Sequence, residues 1–168
     1  MELVNAIVGI IQLVISIILA VAALYIGFSV LGKITKGIDE VKELARGNVA
    51  VGILVASVFL AIGIVVQAGV AGISGGIKAA QASAGGLLSA GGLTAIGLSI
   101  LQLILGIVLA IAAIYLALNI LDKLTKGIEE FEELKKGNVA VALEMAGVII
   151  TTAIIIQSGV QGITAALI

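Results

Sequence analysis

The chain alternates long apolar segments with short charged ones. The apolar segments lie at about 3–31, 49–73, 93–121 and 139–168. Each holds about 25 to 30 residues, which at about 1.5 Å per residue corresponds to a helix of roughly 37 to 45 Å. Because the hydrocarbon core of a bilayer is about 30 Å thick, this pattern predicts four transmembrane helices.

The second half of the chain repeats the first at a constant offset of 90 residues. The segment KITKGIDE at 33–40 returns as KLTKGIEE at 123–130, and GNVAV at 47–51 returns unchanged at 137–141. Each copy places one charged loop between two apolar segments. The sequence therefore predicts an all-α, polytopic integral membrane protein made of two parallel-repeat helical hairpins.

The predicted organisation has three parts. Repeat 1 occupies 1–76, repeat 2 occupies 93–168, and a linker rich in Gly, Ala and Ser joins them at 77–92. The linker is either a mobile connector, or its Ala-Gln-Ala-Ser stretch extends a helix and packs against another subunit. Because two spans separate the charged loops, both loops lie on one side. The preference of Lys and Arg for the cytoplasm then places the loops inside a cell membrane, with both termini and the linker outside.

Composition agrees with a bilayer and excludes several chemistries. Apolar residues make up 61% of the chain and charged residues 11%, whereas soluble proteins carry about a quarter charged residues. The net charge of −1 gives no reason to expect nucleic acid as a partner. Cys and His are absent, so the usual zinc, haem, thiol and His-base chemistries have no ligands or bases. We expect no cofactor, no metal and no enzymatic activity.

Each charged loop shows the pattern of a short amphipathic helix at the membrane interface. Apolar residues recur at helical spacing at Ile34, Ile38, Val41 and Leu44, and again at Leu124, Ile128, Phe131 and Leu134. The predicted polar face carries Asp39, Glu40, Lys42 and Glu43 in repeat 1, and Glu129, Glu130, Glu132 and Glu133 in repeat 2. Gly47 and Gly137 suit the stop of this helix, and Asn48 and Asn138 suit the N-cap of the next span.

These loop motifs resemble a known family. Lys36-Gly37-Ile38, Glu43-Leu44 and Gly47-Asn48-Val49-Ala50-Val51, with their second copy between Lys126 and Val141, are similar to the YjfL/YshE-type small membrane proteins of prokaryotes. That family is catalogued as a domain of unknown function and is built of two-helix units. The resemblance implies a membrane location and a repeat unit, and it implies no reaction and no catalytic residue.

Glu144 is the only ionisable residue well within a predicted span. It lies six residues beyond Asn138, about 9 Å into the helix. It therefore either reaches headgroup water or Lys123, or it binds a proton or cation. Its counterpart in repeat 1 is Leu54. Equal depth in the hairpin further suggests a hydrogen bond between Tyr115 and Glu144.

Four glutamines lie at one level near the outer face, Gln12, Gln67, Gln102 and Gln157. Amides in lipid seek partners, so we expect pairing between helices, with a polar ring around an outer vestibule as the alternative. Small residues spaced by four predict close helix packing. The pairs are Ala23–Gly27, Ser57–Ala61, Ala68–Gly72 and Ser158–Gly162.

Three classes of function can be compared on these features. We favour a non-catalytic packing or assembly module that forms a homo-oligomer or binds another membrane protein. The alternative is a small ion channel or transporter with the glutamines and Glu144 along its path. A rotary-ATPase proteolipid is disfavoured because its carboxylate must lie near the midplane, and Glu144 is too shallow. An enzyme is least expected because the spans lack a base.

Overall fold

The structure, a computed structural model, describes residues 2–35, 37–82, 89–125 and 127–167. Within these ranges it describes the side chains of all residues except 2–5, 8, 11, 12, 15, 30, 33, 34 and 164–167. The described part is helical and contains no strand. Its helices are α1 Glu2–Ile34, α2 Glu40–Ala45, α3 Val49–Ala82, α4 Ala90–Leu124, α5 Glu130–Lys135 and α6 Val139–Leu167.

Helix α3 is the centre of the structure. It packs most extensively against α6 and α4 of repeat 2, and less extensively against α1 of its own repeat. Buried residues therefore occur on most sides of α3, from Ala50 near its start to Ala80 near its end. The main hydrophobic core joins this helix to α4 and α6 through residues such as Val65, Ile114 and Ile149.

The two repeats do not pack as a symmetric pair. In a two-fold arrangement, α1 would pack on α6 as extensively as α4 packs on α3. Instead α4 is in wide contact with α3, whereas α1 packs mainly on α3 and slightly on α4. The repeats therefore meet through different surfaces, which is a head-to-tail (heterologous) contact.

Three described helices are long and apolar enough to cross a membrane, rather than the four that the sequence predicts. They are α3, α4 and the segment Val139–Ile163 of α6. In α1 the qualifying apolar stretch is the shorter Ser16–Ser29. The side chains of Ile15 and Val30, on either side of this stretch, lie outside the described residues, so the continuous described stretch is shorter than a span.

Helical structure extends into the region that the sequence assigned to the linker. α3 continues through Ala82, and α4 begins at Ala90 after the N-cap Ser89, whose hydroxyl accepts a hydrogen bond from the Gly92 N–H at 3.0 Å. The Ala-Gln-Ala stretch at 80–82 is thus helical, and its packing against another subunit stays a prediction. Residues 83–88 lie outside the described part.

Two residues of the loop helices α2 and α5 depart from the predicted amphipathic pattern. Glu40 and Glu130, placed on the polar face by the sequence, are buried. The reason is a local hydrogen bond in each copy. The Thr35 hydroxyl donates to the Glu40 carboxylate, and the Thr125 hydroxyl donates to the Glu130 carboxylate. Each bond holds the first turn of the loop helix inward.

Candidate functional site

The Gly-Asn motif ends each loop helix and begins the next long helix. Gly47 has φ +78°, a conformation that favours glycine. Its N–H donates to the Leu44 carbonyl, and the Asn48 N–H donates to the Glu43 carbonyl, both at 3.0 Å. This is the Schellman stop. The Asn48 side chain then accepts a hydrogen bond from the Val51 N–H at 3.2 Å, which makes it the N-cap of α3.

Repeat 2 contains the same arrangement. Gly137 has φ +82°, and the Asn138 side chain accepts hydrogen bonds from the N–H groups of Ala140 and Val141. The Asn138 amide also donates to the Glu133 carboxylate at 2.8 Å. This bond and the Lys136 ammonium hold the pKa of Glu133 below its usual range.

One contact of this motif differs between the repeats. The Asn48 amide donates to Glu43, as Asn138 does to Glu133, and it also donates to the Leu134 carbonyl of α5 at 2.9 Å. Asn48 therefore joins the two repeats at the end of α5. Accordingly, Leu134 has no exposed surface, while its counterpart Leu44 is 40% exposed. The sequence identified Asn48 as a cap but gave no indication of this second role.

Repeat 2 carries carboxylates at two positions where repeat 1 has none. The counterparts of Asp122 and Glu144 are Gly32 and Leu54. A Cβ added at Gly32 would lie 3.5 Å from the Glu40 carboxylate. Because Asp122 occupies the equivalent position in repeat 2, its side chain starts beside Glu130. Burial, and then the neighbouring Asp122 and Glu144 charges, raise the pKa of Glu130. Within the described residues no group of acidic side chains is spaced to hold a metal ion.

The predicted Tyr115–Glu144 hydrogen bond is wrong. Both side chains are exposed, and neither bonds to the other in the described part of the chain; nor does Glu144 pair with Lys123. Residues 102 and 115 are thirteen apart, which turns a helix by about 220°. Because Gln102 faces α6, Tyr115 points away from it.

Gln102 does not pair with Gln157 as predicted. The Gln102 amide is buried and donates to the Val160 carbonyl at 2.9 Å, one turn beyond Gln157 on α6. A backbone acceptor at the helix crossing thus replaces the expected amide. Gln67 is exposed, and the side chain of Gln12 lies outside the described residues. The described glutamines therefore form no ring.

A ridge on α3 is buried, and its counterpart on α6 is exposed. The α3 ridge consists of Leu54, Ser57, Ala61, Val65, Ala68, Gly69 and Gly72, all buried. The α6 ridge, at the equivalent positions, consists of Glu144, Gly147, Thr151, Ile155, Ser158, Gly159 and Gly162, all exposed. The small pair Ala68–Gly72 thus lies in an interface, while its equivalent Ser158–Gly162 is exposed in the described part of the chain.

A groove between α1 and α3 is open in repeat 1, whereas its counterpart in repeat 2 is buried. This repeat 1 groove has a volume of about 860 Å³ and is almost entirely apolar. Its walls include Ser16, Ala20, Leu24, Ala56, Phe59 and Gly63. The equivalent positions on α4 and α6 form the repeat 2 groove, Gly106, Ala110, Ile114, Ala146, Ile149 and Ala153, and all of these are buried. A groove is therefore filled in repeat 2 and open in repeat 1.

Comparison with known proteins yields a family and no activity. No curated protein and no solved structure matches the chain. The family model described as "Domain of Unknown Function (DUF350)" matches residues 5–108 and again residues 95–168, in agreement with two copies of one unit. The match does not carry the YjfL/YshE designation. Since the two matches together span nearly the whole sequence, the chain belongs to the DUF350 family.

Proposed function

We propose that the protein is a non-catalytic assembly module of the membrane. The observation that carries this proposal is the exposed α6 ridge. Glu144, Thr151 and Ser158 lie on the outside of a helix that is long and apolar enough to cross a bilayer. Polar and ionisable side chains are costly against lipid, so such a ridge favours a protein partner. Small residues at Gly147, Gly159 and Gly162 allow another helix to approach closely.

The proposed topology has four crossings. α1 is 33 residues long, about 50 Å at 1.5 Å per residue, and its sequence from Leu3 to Leu31 is apolar, so we count it with α3, α4 and α6. α2 and α5 then lie on one side, and the cations beside them favour the cytoplasm. On this basis we place the protein in the plasma membrane of a prokaryotic cell, with both termini outside.

One observation favours a second function, proton-linked permeation. Asp122 and Glu144 lie close enough to Glu130 for their charges to raise its pKa. A carboxyl group with a raised pKa takes up a proton at a higher pH than an ordinary glutamate does. A transport path is less supported, because the described glutamines form no ring and the repeat 1 groove is apolar.

The two functions can be separated by one pair of measurements on the purified protein. Oligomeric state in mild detergent and in nanodiscs measures assembly, and proton and cation flux in liposomes measures permeation. We expect a defined oligomer and no flux above that of empty liposomes. A monomer that supports flux, with the flux lost in Glu144→Gln, would overturn the assembly module and establish the permeation function.

A further inference from the structure

The internal duplication shows what fits an open groove of this kind. The repeat 2 groove is filled by α3: Ala61 and Val65 of the α3 ridge belong to the same buried cluster as Ala110, Ile149 and Ala153 of that groove. The equivalent groove in repeat 1 is open, and the equivalent ridge on α6 is exposed. The described part of the molecule thus contains one filled ridge-and-groove contact and both unfilled halves of another.

Individual contacts across the filled junction have unoccupied counterparts. α3 and α4 approach so closely that a Cβ on Gly69 would overlap the Leu103 side chain. Leu103 is 1% exposed, whereas its counterpart Leu13 on α1 is 60% exposed. The counterpart of Gly69 is Gly159, and a Cβ there would meet nothing within 4 Å among the residues that the structure describes. Leu13 on α1 and Gly159 on α6 are therefore the counterparts of two residues in close contact, but they do not contact each other.

The loops repeat this relation. The Asn48 amide bonds to the Leu134 carbonyl and covers that residue. The counterparts are Asn138 and Leu44. Asn138 keeps its bond to Glu133 but is bonded to no carbonyl of α2 in the described part of the chain, and Leu44 is 40% exposed. The Asn138 amide is therefore available as a donor, and the Leu44 carbonyl as an acceptor, for a bond like the one between Asn48 and Leu134.

We propose that the partner is a second copy of this chain, docked head to tail. The α6 ridge of one copy fills the repeat 1 groove of the next, Leu13 packs on Gly159, and Asn138 donates to the Leu44 carbonyl. This inference rests on the proposed assembly function and names its partner. Repetition of one heterologous contact gives a ring if the rotation closes and an open row if it does not.

A bump-and-hole series tests the contact without disturbing the fold. Gly159→Leu has free space in the single chain but would strike Leu13 of the next copy, so we expect loss of the oligomer. The matched control is Gly97→Leu. Gly97 also has nothing within 4 Å, and its counterpart Ile7 is exposed too, so no docking surface is predicted there. The double variant Leu13→Ala, Gly159→Leu restores the space and should regain the oligomer.

Cross-linking tests the polarity of the contact, because the chain has no cysteine of its own. A mixture of Leu13→Cys and Gly159→Cys chains under mild oxidation should give a dimer, and the double variant should give a ladder of larger species. Gly69→Cys, Leu103→Cys is the internal control, since a Cβ on Gly69 would lie 3.0 Å from the Leu103 Cβ, near disulfide range.

The outcomes distinguish this inference from the proposed function. An oligomer that persists in Gly159→Leu, without Leu13–Gly159 cross-links, would overturn the head-to-tail contact and leave the assembly module standing. A dimer from Gly159→Cys alone would show a two-fold contact and overturn it as well. A wild-type protein that is monomeric in membranes would remove both proposals.

Discussion

Helices α3 and α6 begin with the same residues after the same Gly-Asn stop, yet one is enclosed and the other lies at the surface. Where α3 carries Leu54, Ala61 and Ala68, α6 carries Glu144, Thr151 and Ser158. The enclosed copy is therefore the more apolar. Duplication supplied two equal helices, and their different positions in the structure allowed different residues. Equivalence in sequence does not imply equivalence in environment.

The largest expected effect contrasts Gly69 with Gly159. Gly69→Leu would place a side chain inside Leu103, where even a Cβ lies too close. We expect it to destabilise the fold by about 3 kcal/mol or more, as severe overpacking does. Gly159→Leu should change the stability of the single chain by less than about 0.5 kcal/mol. Reversible unfolding in mixed micelles, on protein kept monomeric by dilution, measures both. Equal losses would contradict the different enclosure of α3 and α6.

The next contrast concerns the two asparagines. Asn48→Ala removes an N-cap and the bond to the buried Leu134 carbonyl, so we expect a loss of about 2 to 3 kcal/mol. Asn138→Ala removes the cap and the bond to Glu133 and should cost about 1 kcal/mol. The same unfolding assay compares them. If Asn138→Ala proved the more harmful in monomeric protein, the link through Asn48 would not matter for stability.

A smaller effect concerns pH and the carboxylates of repeat 2. The pKa of Glu130 is raised, so the folded state holds this proton more tightly than the unfolded state does. Stability is then highest below the ordinary glutamate pKa and falls as the pH rises towards the raised value. Asp122→Gly, which copies Gly32 of repeat 1, removes one cause of the shift and should make this fall shallower. Unfolding midpoints between about pH 4 and pH 7 provide the measurement.

Glu40→Gln is the control for that experiment. Glu40 is the repeat 1 counterpart of Glu130, and the position equivalent to Asp122 is Gly32, which carries no charge. An unchanged pH profile in Asp122→Gly, with wild-type folding at low pH, would rule out Asp122 as a cause of the shift.

The smallest effect is expected at Glu144. Its side chain is exposed, so Glu144→Leu, which copies Leu54, should alter the stability of the single chain by less than about 0.5 kcal/mol. In lipid the same change removes a carboxylate whose exposure favours the docked state, and we expect the oligomer to dissociate at a higher concentration. Dilution series in nanodiscs or by single-molecule counting test this. An unchanged oligomer would place Glu144 outside the contact.

Local signals predicted the parts of the fold that depend on local chemistry. Apolar runs indicated the long helices, and the Gly-Asn dipeptide indicated the junctions at Gly47 and Gly137, because stops and caps depend on a few adjacent residues. Helix orientation was harder. Tyr115 and Glu144 share a depth, but depth does not determine which way a side chain points around the axis.

Two parts of the candidate site could not be predicted because they depend on how the repeats dock. The bond from Asn48 to Leu134 joins residues 86 apart, and no pattern within either repeat encodes it. Burial of Glu40 and Glu130 did leave a signal. The Thr35–Glu40 pair returns as Thr125–Glu130, five residues apart in both copies. Equal retention of a hydroxyl and a carboxylate indicates a hydrogen bond, whereas the amphipathic interpretation assigned each glutamate to solvent.

The covalent connection from α3 to α4 has a kinetic consequence. It tethers two docking units so that the ridge of one meets the groove of the other within a single chain, at an effective concentration on the order of millimolar. In a head-to-tail assembly every second junction is therefore made during folding and needs no encounter between molecules. Growth would proceed in steps of two units, and every complete assembly would contain an even number of them.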